Sequence, residues 1–295
     1  MNTTIFTEDC LKCVTDRYLT SYPDDSTSEQ RMEYMKAVMK ILSEVSNDVK
    51  APELVSIITK KQKEIFGKVT NDYEAEKREY NSIMLSLEEK LESEIQNSSD
   101  PLMLAVGYAL TGNYIDFGAV DVNEEELYKL LDNAKNITVD SDETKAFRND
   151  ILSAKKLVYL TDNCGEVVMD KLLIKTIQKL NPRVAVKVIV RGFPALNDAT
   201  LEDAKQVGLD RVCAVIGNGD SVPGTCLDKI SKEALLTIDS ADVIIAKGMA
   251  NFETLFPCGR NVYYLFMCKC QMFARFFEVP KFTNMLVNDL RAGKE

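Results

Sequence analysis

Between residues 26 and 97 the apolar positions recur at three- and four-residue steps, the spacing that gives a helix one buried stripe. Met32, Met35, Met39, Leu42 and Val45 form the first stripe, and Ser26-Thr27-Ser28-Glu29 ahead of it predicts a capping box. Leu54, Ile57, Ile58 and Ile65 form the second, with Pro52 suited to its first turn and Gly67 to its end. Ile83, Leu87, Leu91 and Ile95 form the third, which Asn97-Ser98-Ser99-Asp100-Pro101 breaks. A short helix is predicted over 102–110. After it, Thr111-Gly112-Asn113-Tyr114-Ile115-Asp116-Phe117-Gly118 is too apolar for a free linker and reads as a buried connection. Acidic residues at 121–126 and Asp140-Ser141-Asp142-Glu143 open two further helices.

From about residue 155 the pattern changes to short apolar runs alternating with amphipathic ones, which predicts a doubly wound, mainly parallel sheet of five or more strands. The strands expected are 156–161, 185–190, 211–216, 242–246 and 261–267. The chain therefore divides into a helical N-terminal domain (1–100), a helical connection packed on the sheet (101–154) and an α/β domain (155–295). Ligands of such sheets bind outside the carboxyl ends of the strands, so the five following turns are expected to converge on one crevice.

The first of those turns is Thr161-Asp162-Asn163-Cys164-Gly165-Glu166, where an apolar strand ends in a carboxylate, an amide and a glycine. Asp162 and Asn163 suit a helix cap, and they equally supply hard oxygen ligands for a cation. Asn197-Asp198-Ala199-Thr200 places a second amide–carboxylate pair over the same edge, and Asp198 suits both roles. Two carboxylates with one or two amides match Mg²⁺, Mn²⁺ or a similar ion. Lys247-Gly248 closes the fourth strand, where a lysine either pairs with a carboxylate or neutralises a phosphate; the phosphate role is favoured. Gly248 permits close approach of a ligand, and a helix opening at Asn251 adds N–H groups. Arg191 is a weaker candidate, since a strand-terminal arginine is often a surface ion pair, and Gly217-Asn218-Gly219-Asp220 is explained as readily by turn chemistry as by a phosphate cradle.

Composition narrows the chemistry. With 46 acidic and 36 basic residues the net charge is -10, which disfavours nucleic acid as a partner. There is no histidine, so Ser/His/Asp and Cys/His catalysis and imidazole-ligated zinc are excluded. No run reaches the ~18–20 apolar residues of a membrane span, and the first residues lack a signal peptide's basic start and apolar core. A cytoplasmic location with reduced thiols and no membrane partner is expected. Cys10-Leu11-Lys12-Cys13 and Cys268-Lys269-Cys270 leave a structural zinc site open, although a C-x-C pair fits poorly and buried thiols are the simpler reading.

Three blocks in order, Thr161 to Glu166 with Asp170, Arg191-Gly192-Phe193-Pro194-Ala195-Leu196-Asn197-Asp198-Ala199-Thr200 with Asp203-Ala204, and Lys247-Gly248-Met249-Ala250-Asn251-Phe252-Glu253-Thr254, resemble the metal-dependent damage-control phosphatases, also known as domain of unknown function 89. The resemblance covers nearly the whole chain and is nearest to a short, prokaryotic-type form. It implies hydrolysis of small phosphometabolites, including sugar phosphates, with Mn²⁺, Co²⁺, Ni²⁺ or Mg²⁺. It carries the metal ligands onto Asp162, Asn163 and Asp198 and the phosphate-binding lysine onto Lys247. Backbone N–H groups at Gly165–Glu166 and Gly248–Asn251 would complete the phosphate cradle, with Arg191 and Asn197 beside it, while Asn113 and Asp116 are expected to help choose the substrate. Cys164 departs from the small alanine or serine usual in that motif, which suggests sensitivity to oxidation if the thiol is exposed.

Two other functions compete with this reading. Protein carboxyl methylation by an S-adenosylmethionine-dependent enzyme, attributed to one relative of this family, needs a glycine-rich turn after the first strand, and only Gly165 is there. A non-enzymatic zinc-binding scaffold would rest on the cysteines alone.

Overall fold

The computed structural model describes residues 6–70, 73–112, 131–137 and 139–292. Five helices come first: α1 Glu8–Tyr18, α2 Ser28–Glu44, α3 Ala51–Phe66, α4 Glu74–Asn97 and α5 Pro101–Gly112. The capping box of α2 sits one residue later than the sequence suggests: the Thr27 side chain accepts from the Gln30 N–H, and the Gln30 side chain accepts from the Thr27 N–H. At α3, Pro52 occupies the first turn and Gly67 ends the helix in the left-handed region at φ 73°.

After α6 (Ser141–Ser153) the chain alternates strand and helix: β1 Lys156–Leu160, α7 Glu166–Leu180, β2 Ala185–Val190, α8 Leu201–Gln206, β3 Ala214–Gly217, α9 Lys232–Asp239, β4 Val243–Lys247, α10 Gly248–Leu255, β5 Val262–Met267, α11 Gln271–Phe276 and β6 Asn284–Asn288. They form one six-stranded sheet in the order β3-β2-β1-β4-β5-β6. The first five strands are parallel, and β6 runs antiparallel to β5 at the edge. One expectation is corrected: residues 209–211 form a 3-10 turn, so β3 begins at Ala214. The sheet has the five or more strands expected, and its sixth, β6, lies outside the apolar runs named from the sequence. Its apolar stretch is only Met285-Leu286-Val287 between two asparagines, too short for periodicity to reveal.

Alternate residues of each strand enter opposite layers, as the pleat requires. Leu157, Tyr159, Val188, Ile245 and Tyr263 pack with α4, α5, α6 and α7. Val158, Leu160, Ile244, Tyr264 and Phe266 pack with α9, α10 and α11 around Phe252, whose ring meets five other aromatic rings. Helices α4 and α5 thus share the sheet's own core, whereas α1, α2 and α3 close smaller clusters around Tyr34 and Leu54. Among the described residues no helix is long and apolar enough to cross a membrane.

Candidate active site

Strand order reverses between β1 and β4, and the chain leaves these neighbours in opposite directions, opening a crevice at their carboxyl ends. The turn after β1 does not stand alone. Asn163 bridges Asp198 in antiparallel fashion, the Cys164 N–H donates to the Asn197 carbonyl at 2.9 Å, and the Ala199 N–H donates to the Asp162 carbonyl at 2.7 Å. Backbone bonds therefore fix both acid-bearing turns face to face.

Six charged side chains converge behind and within this crevice, each at most 6% exposed: Asp162, Glu166, Asp170 and Asp198 against Arg191 and Lys247. Arg191 donates from Nε to Asp198 Oδ2 at 2.5 Å and from Nη2 to the Thr161 carbonyl at 3.3 Å. Lys247 Nζ donates to the Ala109 carbonyl at 2.8 Å, to Asp170 Oδ1 at 2.9 Å and to the Glu166 carboxylate. Tyr159 also donates to Asp170 Oδ1, at 2.7 Å, and the other oxygen of Asp170 is buried with no hydrogen-bond partner among the described residues. Burial, then the facing Asp198 and Glu166, pushes the Asp162 carboxyl well above its ordinary range. Burial also raises Asp198, with the Arg191 guanidinium pulling the other way. Asp170 is pushed up to about 6, chiefly by burial and against the pull of Lys247. Burial opposes the charged form of Lys247, yet the carboxylates of Asp170 and Glu166 outweigh it and keep the ammonium charged.

The structure brings together most of the residues predicted from sequence, with altered duties. All the contacts of the Lys247 ammonium point to α5 and α7, away from open solvent. Arg191 is 1% exposed and not a surface ion pair. Helix α10 starts at Gly248, so Asn251 lies inside it; its amide donates to the Thr161 and Lys247 carbonyls at 3.0 and 2.7 Å and its oxygen accepts from Thr225 at 2.7 Å. Asn251 therefore braces the crevice. The Gly165 N–H donates to Asn81 Oδ1 at 2.7 Å and so is not directed at a ligand. At Gly248, with φ 78°, a Cβ would coincide with the Asp162 carboxylate, so the group approaching this glycine is the chain's own acid. Glu166 offers its side chain to Lys247, and Asn163 donates to Asp162 at 2.9 Å and Glu166 at 3.3 Å, leaving its amide oxygen without a hydrogen bond among the described residues. Asn197 is half-buried and contributes its carbonyl. Cys164 is fully buried and burial raises its thiol pKa, so the exposure on which oxidation would depend is not met. Asn113 and Asp116 lie outside the described residues.

Residue Asn81 on α4 went unnoticed in the sequence. Besides accepting from Gly165 it donates to Asp203 Oδ1 at 3.2 Å, and Asp203 caps α8 through the Thr200 N–H at 2.8 Å and pairs with Lys77 at 2.8 Å. One buried amide thus ties the helical layer to the β1 turn and to the first turn of α8, 84 residues and 122 residues away along the chain. A polar side chain on the buried stripe of a helix is the sole signal of it in the sequence. The loop Gly217-Asn218-Gly219-Asp220 is a brace as well: Asn218 Oδ1 accepts from the Gly192 and Asp220 N–H groups at 2.7 and 2.9 Å. The turn after β5 runs elsewhere, to α11 beside α1, where Arg275 pairs with Asp9 at 2.9 Å. Among the described residues no three Cys, Asp or Glu side chains are grouped so as to hold a metal.

The donor set at the crevice still fits a hard divalent cation. Two acids with raised pKa values face one another beside the Asn163 amide oxygen, which accepts no hydrogen bond among the described residues, and carboxylates and amide oxygens are the ligands such ions take.

An open α/β sheet with buried acids and bases at its switch point is the architecture of a ligand-binding or catalytic crevice. Residues 6–285 match the family described as the damage-control phosphatase ARMT1-like domain, and the chain belongs to this family. An uncharacterised protein of Methanocaldococcus jannaschii is 30% identical over 290 residues, covering 95% of this chain and 94% of its own. A damage-control phosphatase of Archaeoglobus fulgidus is 32% identical over 80% of this chain and 82% of its own, and one of Pyrococcus horikoshii 37% identical over 60% and 62%. The crystal structure of a DUF89 family protein from Pyrococcus horikoshii superposes with a TM-score of 0.81 at 28% identity, over 96% of this chain and 98% of that one.

Two substitutions test this geometry. Gly248→Ala forces Asp162 aside and strains a left-handed residue, so kcat/KM should fall ~10²-fold or more with the circular dichroism spectrum unchanged; near-normal turnover would show that Asp162 has room to spare. Lys247→Met leaves Glu166 and Asp170 buried without their cation and should cost ~3–5 kcal/mol in urea unfolding. Adding Asp170→Asn should recover part of that loss, and no recovery would remove the charge argument.

Proposed function

We propose that the chain hydrolyses small phosphate monoesters, sugar phosphates or damaged phosphorylated metabolites, with a divalent cation of the Mn²⁺, Co²⁺, Ni²⁺ or Mg²⁺ type held by Asp162, Asn163 and Asp198. The observation that carries this reading is the buried charge balance: among the described residues, four carboxylates gather with two cations in one site. An uncompensated buried charge costs several kcal/mol. A dication offsets an excess of two negative charges, and protons do so only in its absence. The names of the relatives supply the phosphatase chemistry.

When bound, the cation supplies Lewis-acid activation of the phosphoryl group and of the attacking water. Asp162 and Asp198 hold it from opposite turns, and the backbone bridge between those turns sets their separation. Arg191 orients Asp198 through its Nε. Lys247 acts from behind, as a positioning residue: it holds Glu166 and Asp170 in place and lends positive charge to Asp162. Water rather than Asp162 is the nucleophile in this scheme, because the second residue after Asp162 is the buried Cys164 and not the second acid of a D-x-D pair.

A panel of phosphate esters assayed with each of the four ions is the direct test. Turnover should vanish on chelation, and Asp162→Ala and Asp198→Ala should each lower kcat/KM ~10²-fold or more while weakening cation binding measured by calorimetry. Full activity in Asp162→Ala would remove the proposed site.

The raised carboxyl pKa values give a second test. Acids whose pKa is higher in the folded than in the unfolded state bind protons more tightly when folded, so their contribution to stability in the metal-free protein grows as pH falls and is lost as pH rises through the raised values. Protons then compete with the cation. The rise in Tm on adding Mn²⁺ should be larger at pH 7.5 than at pH 5.5, and an equal or reversed shift would count against ligation by these acids.

A further inference from the structure

A cleft of about 410 Å³ opens where α3, the start of α4 and the loops after β2 and β3 meet, within the range of small-molecule sites (~300–1,000 Å³). Two of its walls are continuous along the chain with the crevice. Ala195 and Leu196 precede Asn197 and Asp198, and Pro223 precedes Gly224, whose N–H faces the Asp198 carboxylate. Its lining includes the apolar side chains of Phe193, Pro194 and Leu196, which suit the carbon body of a metabolite.

The charge of the cleft is the unusual part. Of its acidic and basic lining residues, Lys77 is committed to Asp203 at 2.8 Å and Glu74 pairs with Arg78 at 3.6 Å. Lys60 and Lys63, one turn apart on α3, are exposed and make no ion pair among the described residues. Two unpaired ammonium groups on one wall, in a protein of net charge -10, form a local positive field beside an otherwise acidic site.

We propose that this cleft receives the leaving group of the substrate, and that Lys60 and Lys63 select phosphate monoesters whose leaving group carries a second anionic group, a carboxylate or a further phosphate. The proposal rests on the phosphatase reading of the crevice, and extends it from the bond broken to the molecule chosen. The lysines act on the ground state and the transition state alike, because the second anion keeps its charge throughout hydrolysis; their effect therefore falls on KM.

The test compares glucose 6-phosphate, gluconate 6-phosphate and fructose 1,6-bisphosphate as substrates of the full chain with Mn²⁺. The unsubstituted protein should favour the two that carry a second anion. In Lys60→Gln/Lys63→Gln their KM should rise about tenfold relative to that of glucose 6-phosphate, with added salt shrinking the difference. Lys40→Gln, a loss of one charge on α2, should leave the KM ratios where they were. Gluconate 6-phosphate losing its advantage while the bisphosphate keeps it would assign the lysines to carboxylates, and the opposite result would assign them to phosphates. KM values that move equally for all three substrates would overturn the proposal. Turnover of none of them by the unsubstituted protein would instead overturn the phosphatase reading; calorimetry then decides the cleft, and equal affinity for glucose 6-phosphate and gluconate 6-phosphate would sink it.

Discussion

Burying six ionisable groups in one place constrains everything around the crevice. Water screens none of them, so each must find its counter-charge or hydrogen bond at the cost of several kcal/mol if it does not. Arg191 and Lys247 answer this demand in different ways. Arg191 spreads its fork over Asp198 and the Thr161 carbonyl, which locks the ligand-bearing turn to the end of β1. Lys247, a compact charge, is enclosed by Glu166, Asp170 and the Ala109 carbonyl, which joins β4 to α7 and α5. Asp162 and Asp198, on the two facing turns, are the acids that a ligand in the crevice would meet.

Backbone geometry enforces the arrangement more strictly than the charges do. Gly248 at φ 78° leaves the space that the Asp162 carboxylate fills, and Gly165 at φ 74° turns β1 into α7 while presenting its N–H to Asn81. Both glycines serve internal approach, of a side chain in one case and of a neighbouring helix in the other. Strand-to-helix turns in such folds are usually read as cradles for anions; here the protein's own carboxylate and amide occupy part of that space.

The periodicities along the chain foretold the helices of the first hundred residues, the parallel strands and the crevice, but not every buried face: in α2 the core side is Tyr34 and Val38, while Met32 and Met39 of the expected stripe, like Ile57 in α3, are exposed. Acid, amide and glycine types at the strand ends likewise marked Asp162, Asn163, Asp198 and Lys247. Direction was not legible. Whether Lys247 faces solvent or α7 depends on Glu166 and Asp170 lying one helical turn apart on the side turned toward β4, and nothing in the order of residues around Lys247 states this. Asn81 was invisible for the same reason, since its partners are the turns 84 and 122 residues downstream. The edge strand β6 escaped because three apolar residues carry no period.

Asn81 and Lys77 make the crevice a property of two layers. The β1 turn takes its shape from Asn197 and Ala199 on one side and from α4 on the other, and α8 is capped by the same Asp203 that Lys77 and Asn81 hold. Apart from the Asp203 cap on Thr200, these contacts are far apart in sequence, so the acids come into register only once α4 has docked on the sheet domain. Anything that binds between Asp162 and Asp198 therefore draws its stabilisation from the docked state and returns it there, by mass action, to the whole interface. The cleft with Lys60 and Lys63 lies at the outer end of that interface, on α3 and the first turn of α4. Because α3 contributes to the cleft and none of the buried charges, its surface can vary in charge and shape while the acids stay in register, which separates the choice of substrate from the chemistry done on it.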